Sequence, residues 1–340
     1  MDMALPGMRR ALATALLLMA VDGTAGEAVG HVAYLPYASL SAVEPPPGRL
    51  ELVGQLGGSV TAVALLGDTA LVAGGARAVV FDVADPRAPR AIGTSEILPG
   101  AVADIAVEAA RAYILGSGGF LTILDLARPA SPRTLGSVVV SGGGAHIAVR
   151  SGIACVAGGG TAGLRIVDVS DPASPREVGS LRIPIDDRFY ESARAVTMVG
   201  DRVCAVLWSR GLRLVDVSRP GEPRVLGRHP MESWSDGDDV VALGKYVYAT
   251  GVSSEDDEEQ EGLHIFAVGA DHRPSAAGSV LIAGARGDLA VVGGVAYLRA
   301  ADGLVRVDVR DPAAPVLLAT PSEGRYESCR RLAVEGGLAL

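Results

Sequence analysis

The segment 164–172, with the sequence LRIVDVSDP, carries the pattern that decides the fold. It joins a short apolar run to an Asp and then to a turn that contains Pro. Four other segments repeat this pattern, and a further one, 263–268, has lost the Asp. The four full copies lie at 78–83, 121–126, 212–217 and 304–309. A pattern that recurs this often indicates a fold built from one repeated unit.

The spacing of the copies predicts the blades of a β-propeller. Successive Asp positions lie 43, 43 and 48 residues apart, and then 92 residues apart across the degenerate copy. A period of this length with only short β-type runs is typical of four-stranded blades. Helical solenoids need apolar residues at helical spacing and few interior glycines, whereas this chain has 44 Gly and 20 Pro among 340 residues. In the third copy we expect strands at 145–149, 152–157, 164–169 and 176–181.

The two ends of the chain decide the number of blades. Six full units run from about 60 to 320, and the tail 329–340 matches the start of a seventh. Near the amino end, 49–54 matches an outer strand, 32–35 a second strand and 40–43 a short third strand. We therefore predict an all-β, seven-bladed propeller in which both termini build one composite blade and remove two open sheet edges. A chain cut short within the seventh blade is the alternative.

Residues 1–28 read as a secretory signal peptide, which leaves one propeller domain at 29–340. A basic pair precedes the apolar run 11–21, and small and polar residues follow, with cleavage expected after Ala25 or Ala28. The run is too short to cross a bilayer as a helix, and no later segment has 18 apolar residues. We expect a secreted, periplasmic or cell-surface protein without a transmembrane segment after signal removal.

Charge and cysteine content narrow the class of partner. The net charge of −9 disfavours binding to a nucleic-acid backbone. Cys155 and Cys204 fall in matching strings of adjacent repeats, so we expect buried free thiols there, with a disulfide as the alternative. Aromatic residues make up only 4% of the chain, which argues against a sugar-stacking surface. A monomer that binds a protein or surface partner fits these observations.

The repeat also resembles a known family. Segment 164–172, with 212–220 close behind it, resembles the LVIVD repeat, because the motif, the DPxxP turn and the period coincide over nearly the whole mature chain. The fifth copy departs from it at Ala267 and in the turn 270–274. The resemblance implies a secreted or surface-exposed microbial propeller and carries no defined reaction, so it implies the fold and leaves the function open.

The repeated Asp is expected to hold its turn by accepting backbone N–H bonds, because five copies of one residue are more easily explained by structure than by chemistry. A ring of carboxylates is the alternative, but the third strand lies away from the propeller axis. The copies are Asp82, Asp125, Asp168, Asp216 and Asp308.

The first residues of the inner strands should face the mouth of the central channel. Charged and His side chains gather there, in a geometry that suits a ligand, a metal ion or acid–base chemistry. A channel rim that is simply wet is the alternative. Two matching loops, at 190–194 and 326–330, add Tyr and Arg side chains for an anionic or planar group. The candidate ligand-binding residues are Asp104, His146, Arg194, Asp239, Asp288, Arg331, Tyr190 and Tyr326.

No cofactor motif is present in the sequence, and the metal ligands remain unassigned. The acidic stretches 255–261 and 236–239 contain carboxylates of the kind that can bind Ca²⁺. Both lack the ordered spacing of a calcium loop. The nucleophile elbow, the zinc-binding His pair, the P-loop and the CxxC pair are also missing. We therefore expect a non-enzymatic binding scaffold. The alternatives are a hydrolase or lyase with an Asp/His/Arg site at the channel mouth, and a structural component of a surface layer.

Overall fold

The computed structural model of the chain describes residues 15–21, 50–57, 60–158, 162–184, 190–208, 210–230, 239–255, 258–285, 287–301, 303–318, 332–335 and 338–340. These residues form 28 strands in seven antiparallel sheets of four strands each. Within these ranges no helix is long and apolar enough to cross a membrane. The all-β fold with four-stranded blades is confirmed.

The strands are short, as Gly- and Pro-rich turns every few residues require. In chain order they are β1 (Ala15–Val21), β2 (Leu50–Gly57), β3 (Ala62–Leu66), β4 (Thr69–Gly74), β5 (Arg77–Asp82), β6 (Arg90–Thr94), β7 (Val102–Glu108), β8 (Arg111–Gly116), β9 (Phe120–Asp125), β10 (Arg133–Val139), β11 (His146–Arg150), β12 (Ile153–Gly158), β13 (Gly163–Asp168), β14 (Arg176–Leu181), β15 (Ala193–Val199), β16 (Val203–Trp208), β17 (Gly211–Asp216), β18 (Arg224–Pro230), β19 (Val240–Leu243), β20 (Tyr246–Glu255), β21 (Glu258–Val268), β22 (Pro274–Leu281), β23 (Leu289–Val292), β24 (Val295–Ala300), β25 (Gly303–Asp308), β26 (Val316–Leu317), β27 (Val334–Glu335) and β28 (Leu338–Ala339).

Six blades are each built from one continuous segment of chain. Their strands are β3–β6, β7–β10, β11–β14, β15–β18, β19–β22 and β23–β26, with the first strand of each set on the inside. The fifth blade is complete despite its lost Asp. The structure therefore has six continuous blades, not the seven blades that the sequence predicts. The remaining four-stranded sheet combines strands from both ends of the chain.

That remaining sheet joins strands from the two ends of the chain in the order β2, β1, β28, β27. The strand β2 is its edge, as the resemblance of 49–54 to an outer strand predicts. The tail supplies the innermost strand β27, as its match to the start of a blade predicts. The second and third positions differ from the prediction, since β28 also comes from the tail and β1 lies within the segment 1–28 expected to be a signal peptide. The expected strands at 32–35 and 40–43 lie outside the described residues.

The core consists of apolar layers between neighbouring blades, because both faces of each sheet are covered. At each junction of continuous blades, the third residue along one second strand belongs to the same apolar cluster as the second residue along the next second strand. The pairs that share a cluster are Leu71 with Ala112, Tyr113 with Ala154, Cys155 with Cys204, Ala205 with Val247, and Tyr248 with Ala296.

The register of these strands corrects the expected match between the two cysteines. Ile153 pairs with Asp168 and Val203 pairs with Asp216, so Cys155 is the third residue of its strand and Cys204 the second. An offset of one residue turns a side chain to the other face of the sheet. Both cysteines are free and buried, as expected.

The outer rim explains the glycine that follows each turn. At five successive junctions, a Cβ added to the Gly of an outer strand would overlap a carbonyl oxygen in the turn of the next blade. Only Gly admits this backbone contact. The pairs are Gly93 with Pro129, Gly136 with Pro172, Gly179 with Pro220, Gly227 with His272, and Gly278 with Pro312.

Candidate functional site

The repeated Asp residues hold their turns, as predicted from the sequence. Asp168 accepts bonds from the backbone N–H and the hydroxyl of Ser170 and also pairs with Arg176, 3.0 Å away. The hydroxyl bond, then the arginine, then the N–H bond lower the pKa of Asp168. The other four copies accept an N–H bond from the residue two positions on. These carboxylates therefore accept hydrogen bonds within the turns and stabilise them.

Four of the candidate ligand-binding residues line one cavity of about 340 Å³ at the axis of the propeller: Asp104, His146, Asp239 and Asp288. Arg194 lies in the inner strand β15 without lining that cavity, and Tyr190 also lies apart from it. Arg331 and Tyr326 fall outside the described residues. The structure thus brings the acidic and His side chains together and separates them from Tyr190 and Arg194.

Three of these carboxylates bridge adjacent blades. In each case one oxygen accepts a backbone N–H from the inner strand of the next blade or, for Asp288, from the segment that leads into β27. In the neighbouring blade, the N–H donor is the residue that follows the position equivalent to the Asp in the alignment of inner strands. For Asp104 and Asp239 the other oxygen accepts the next N–H of its own strand. The bonds are Asp104 to Ile147, Asp239 to Leu289 and Asp288 to Leu332, each 2.8 or 2.9 Å long.

Burial, and then the neighbouring Asp288, raise the pKa of Asp239 well above its usual value. The N–H bonds from Leu289 and Val240 act in the opposite direction, and Asp104 adds a smaller upward contribution. Three carboxylates on one cavity repel one another, and the backbone bonds only partly offset that repulsion. The mouth of the channel is therefore acidic and titratable.

Apart from Arg150, which is paired with Asp201, the basic side chain of this cavity within the described residues is His146. Its Nδ1 lies 3.7 Å from Oδ2 of Asp104, longer than a direct hydrogen bond, and both side chains are about one-fifth exposed. The same Asp104 oxygen accepts the N–H of Ile147. The imidazole therefore faces a carboxylate that already has a partner.

The loop before β15 is held by a buried ion pair that the sequence analysis missed. Arg213 donates to both carboxylate oxygens of Glu191 over 2.6 and 2.8 Å, and the two side chains are only 9% and 4% exposed. The guanidinium also lies over the ring of Trp208. In the first of the matching strings, 190–194, the side chains of Glu191 and Ala193 are buried, whereas Tyr190 is 36% exposed.

Four exposed apolar or aromatic side chains lie in the segments where an outer strand leads to the next inner strand. We call this side the upper face, and its exposed side chains are Ile97, Val139, Tyr190 and Leu281, at 72%, 61%, 36% and 56% exposure. The chain is fixed beneath three of them, because the next residue is buried and donates its N–H to the hairpin between the second and third strands. These donors are Leu98, Val140 and Ile282, bonded to Ala76, Gly119 and Glu261.

The acidic stretch 255–261 and Asp239, the last residue of the stretch 236–239, lie in different parts of the structure. Residues 246–268 form the long hairpin of β20 and β21, which pairs Val252 with Glu261 and continues to Glu255 and Glu258. Asp239 belongs to the channel mouth, and residues 231–238 lie outside the described residues. Within the described ranges no group of three or more His, Cys, Asp or Glu is placed to hold a metal ion. The Ca²⁺ site stays a prediction from the sequence.

Comparison with protein families identifies the repeat. The family model described as "LVIVD repeat" matches three segments, 99–140, 136–182 and 283–320. These segments fall in the second, third and sixth blades, which are among the ones that keep the Asp and the Pro turn. No functionally curated protein gives a sequence match.

Comparison with solved structures finds matches of low sequence identity, one of which is a β-propeller domain. The β-propeller domain of Cps50 (Swd1) from Myceliophteria thermophila is 11% identical, with a TM-score of 0.61 over 80% of this chain and 89% of the other. The designed protein Ika8 is 12% identical, with a TM-score of 0.57 over 85% and 83%. BamB from Moraxella catarrhalis is 15% identical, with a TM-score of 0.51 over 85% and 87%. At these identities the likeness concerns the fold.

Proposed function

We propose that this β-propeller, which carries LVIVD repeats, is an exported, non-enzymatic scaffold that binds a protein partner through its upper face. One observation carries the proposal. Three carboxylates at the channel mouth bridge blades, while the upper face presents apolar side chains to solvent. Groups bound to the backbone are poorly placed for proton transfer, whereas exposed apolar patches are typical of interaction sites.

The upper face favours a protein partner for two physical reasons. Ile97, Val139 and Leu281 each precede a buried residue whose N–H is bonded, so little conformational entropy is lost when a partner orders them. Tyr190, with the Arg182 guanidinium 4.6 Å from its ring centre, adds an amphipathic aromatic side chain, a type enriched in protein interfaces. We expect the partner to cover several blades at once, since these residues belong to different blades.

Charge substitutions on the upper face test this proposal. Val139→Asp and Leu281→Asp should weaken binding of a partner captured from the native envelope at least about tenfold, because each buries a charge in the interface. Val316→Asp is the matched control, since Val316 is 57% exposed at the opposite end of an outer strand. Binding is measured by surface plasmon resonance with the purified partner. Equal affinity of all three variants, or turnover of a substrate without any macromolecular partner, would refute the scaffold.

Export is the second part of the proposal. The amino-terminal pattern in 1–28 supports it, and cleavage after Ala25 or Ala28 would remove β1 from the mature protein. Residues 29–49 would then have to supply the strand between β28 and β2, the position for which the third strand at 40–43 is predicted. Amino-terminal sequencing of the protein recovered outside the cytoplasm checks this step. An amino terminus that still includes 15–21 would favour β1 as a permanent strand and exclude the signal.

We further propose that β27, β28 and β2, with a third strand from the amino-terminal segment, form the seventh blade and close the ring. Its tail residues support this, because Leu340 clusters with Leu65 of the first blade and Ala339 clusters with Val295 of the sixth. Deleting residues 332–340 should expose both neighbours and lower Tm by roughly 10 °C or more, as the loss of several buried side chains requires. An unchanged Tm would indicate a ring closed by six blades.

A hydrolase or lyase is the second candidate. It is favoured by the contact between His146 and Asp104 and by the raised pKa of Asp239 in the same cavity. If an activity is identified, His146→Ala should lower kcat by about a hundredfold, the usual contribution of a general base. An activity that survives this substitution eliminates the mechanism.

A further inference from the structure

The third and fourth blades meet at a junction unlike the others. At each junction of continuous blades, the third residue of one second strand and the second residue of the next share an apolar cluster, and four of these five pairs combine two apolar side chains without sulfur. Between the third and fourth blades both residues are cysteine. The one-residue offset of Cys155 and Cys204 is what directs them toward each other, because equivalent positions would point the same way around the ring.

The two thiols touch inside a closed apolar layer. Cys155 and Cys204 are fully buried in the same cluster, which also holds Trp208 and Leu164. The thiol of Cys155 lies within hydrogen-bonding reach of Cys204, and this contact and burial raise the pKa of Cys204. Both cysteines are free in the structure. The structure thus places two thiols next to each other at this junction. Neither thiol belongs to the proposed binding surface or to the repeat motif.

We propose that Cys155 and Cys204 form an inter-blade disulfide when the chain folds in the presence of a disulfide oxidant. The thiolate of one cysteine attacks the external disulfide, forms a mixed disulfide and releases one small thiolate. The thiolate of the other cysteine then attacks the protein sulfur of that mixed disulfide, which closes the protein bond and expels the second small thiol. The two cysteines lose two electrons and two protons in total, and the external disulfide is reduced to two thiols.

The bond has to form before the junction closes. Exchange requires a thiolate and access to the oxidant, and the folded junction provides neither, because both side chains are buried and the Cys204 thiol is kept protonated. Once formed, the disulfide is shielded from reductant in the same way. It links the third blade to the fourth across about 50 residues of chain, a loop length for which a disulfide substantially restricts the unfolded chain.

Refolding of the purified full chain tests this proposal independently of export and of partner binding. The Cys329→Ser variant leaves only Cys155 and Cys204. It is unfolded and refolded either with oxidised and reduced glutathione or with dithiothreitol alone, and the tryptic peptides 151–165 and 203–210 are then analysed by mass spectrometry. We expect these peptides to be linked, and two hydrogens lighter than their sum, only after the glutathione refolding. The oxidised protein should have a Tm higher by on the order of 5 °C.

Two comparisons complete the test. The Cys155→Ala, Cys329→Ser double variant should show no difference in Tm between the two refolding conditions. Glutathione disulfide added to the already folded, reduced protein should give little cross-link within hours. A natively folded protein whose two cysteines are both alkylated after oxidative refolding would overturn the proposal, as would glutathione adducts without the cross-link. If refolding yields no native protein, expression in an oxidising and in a reducing compartment of a host gives the same peptide comparison.

Discussion

The outer rim and the channel mouth join the same blades in different ways. At the outer rim, five successive junctions use one contact, in which an outer-strand Gly accommodates a carbonyl oxygen from the turn of the next blade. At the mouth, the described residues show a carboxylate bonded to the next inner strand at three junctions, from Asp104, Asp239 and Asp288. The outer contact is thus a property of the repeat, and the inner one is a property of particular blades.

This difference follows from what each contact requires. The outer contact needs a carbonyl oxygen in the turn and a residue without a Cβ in the outer strand. The sequence of the turn can therefore vary as long as the outer strand keeps its Gly. The fifth blade shows this, since its turn lacks the first Pro and the carbonyl of His272 takes the usual place over Gly227. The inner contact needs a particular side chain, and Ala62 and Ala195 stand where other blades have Asp. The mouth can therefore change from blade to blade while the ring remains intact.

The largest effect should come from breaking the outer contact at Gly179. In Gly179→Ala the new methyl group would overlap the carbonyl oxygen of Pro220, and both strands are fixed by their ladders. We expect the free energy of unfolding to fall by about 2–3 kcal/mol, the usual cost of overpacking at a site that cannot relax. Urea unfolding followed by circular dichroism measures it.

The turn of the same junction offers a matched control. A Cβ on Gly221 would meet only the Val178 carbonyl oxygen at 3.5 Å, an ordinary contact, and Ala173 and Ala313 occupy this place in other turns. Gly221→Ala should therefore change stability by less than about 0.5 kcal/mol. Equal losses for the two variants would show that the outer contact is not what holds the junction.

A smaller effect is expected at the mouth. Asp104→Ala removes the acceptor for the N–H of Ile147, a buried residue, and should lower the free energy of unfolding by about 1–2 kcal/mol. Asp85→Ala is the control, because exposed Asp85 accepts only the N–H of Arg87 within its own turn. The same urea titration compares them. A loss no greater than that of the control would mean that the inner bond contributes nothing to ring stability.

The sequence predicts the outer rim better than the mouth for a physical reason. The Gly and the turn Asp recur in almost every copy, so their spacing alone identifies blades and turns. The partner of Asp104 is a backbone N–H, which any residue type supplies, so the sequence places this Asp at the mouth without revealing its bond to Ile147. The ligand-binding role of these residues stays a prediction.

Two further residues show where sequence patterns stop being informative. Cys155 is the fourth residue of 152–156 and Cys204 the third of 202–206, and the ladders with the third strands show that this one-residue difference places the cysteines on opposite faces of their sheets. Glu191 looks like an exposed loop residue, and its burial depends on Arg213, 22 positions along the chain. Register and long-range ion pairs depend on three-dimensional contacts, so neither could be deduced from local similarity.

The acidity of the mouth should appear in the pH dependence of stability. The pKa of Asp239 is raised by burial and by Asp288, so its ionised form is less favourable in the folded protein than in the unfolded chain. Its protonation therefore adds stability that is fully present below about pH 3.9, the unfolded value, and is lost as pH rises through the folded pKa. In Asp239→Asn this loss should disappear from thermal unfolding curves recorded between pH 4 and 7. An unchanged pH profile would contradict the assignment.

The smallest effect should come from the outer-rim turn itself. Asp168→Ala removes the bonds to Ser170 and the pair with Arg176, but Arg176 is largely exposed, so we expect a loss of about 0.5–1 kcal/mol. Asp168→Asn keeps an acceptor for the Ser170 N–H and should recover more than half of it. The lowered pKa of Asp168 means that its contribution is present above about pH 3.9 and is lost as pH falls through the folded value, opposite in sign to Asp239. Protonation of Asp239 stabilises the folded protein, whereas protonation of Asp168 destabilises it. Unfolding curves of both variants over the same pH series therefore distinguish the contribution of the outer rim from that of the channel mouth.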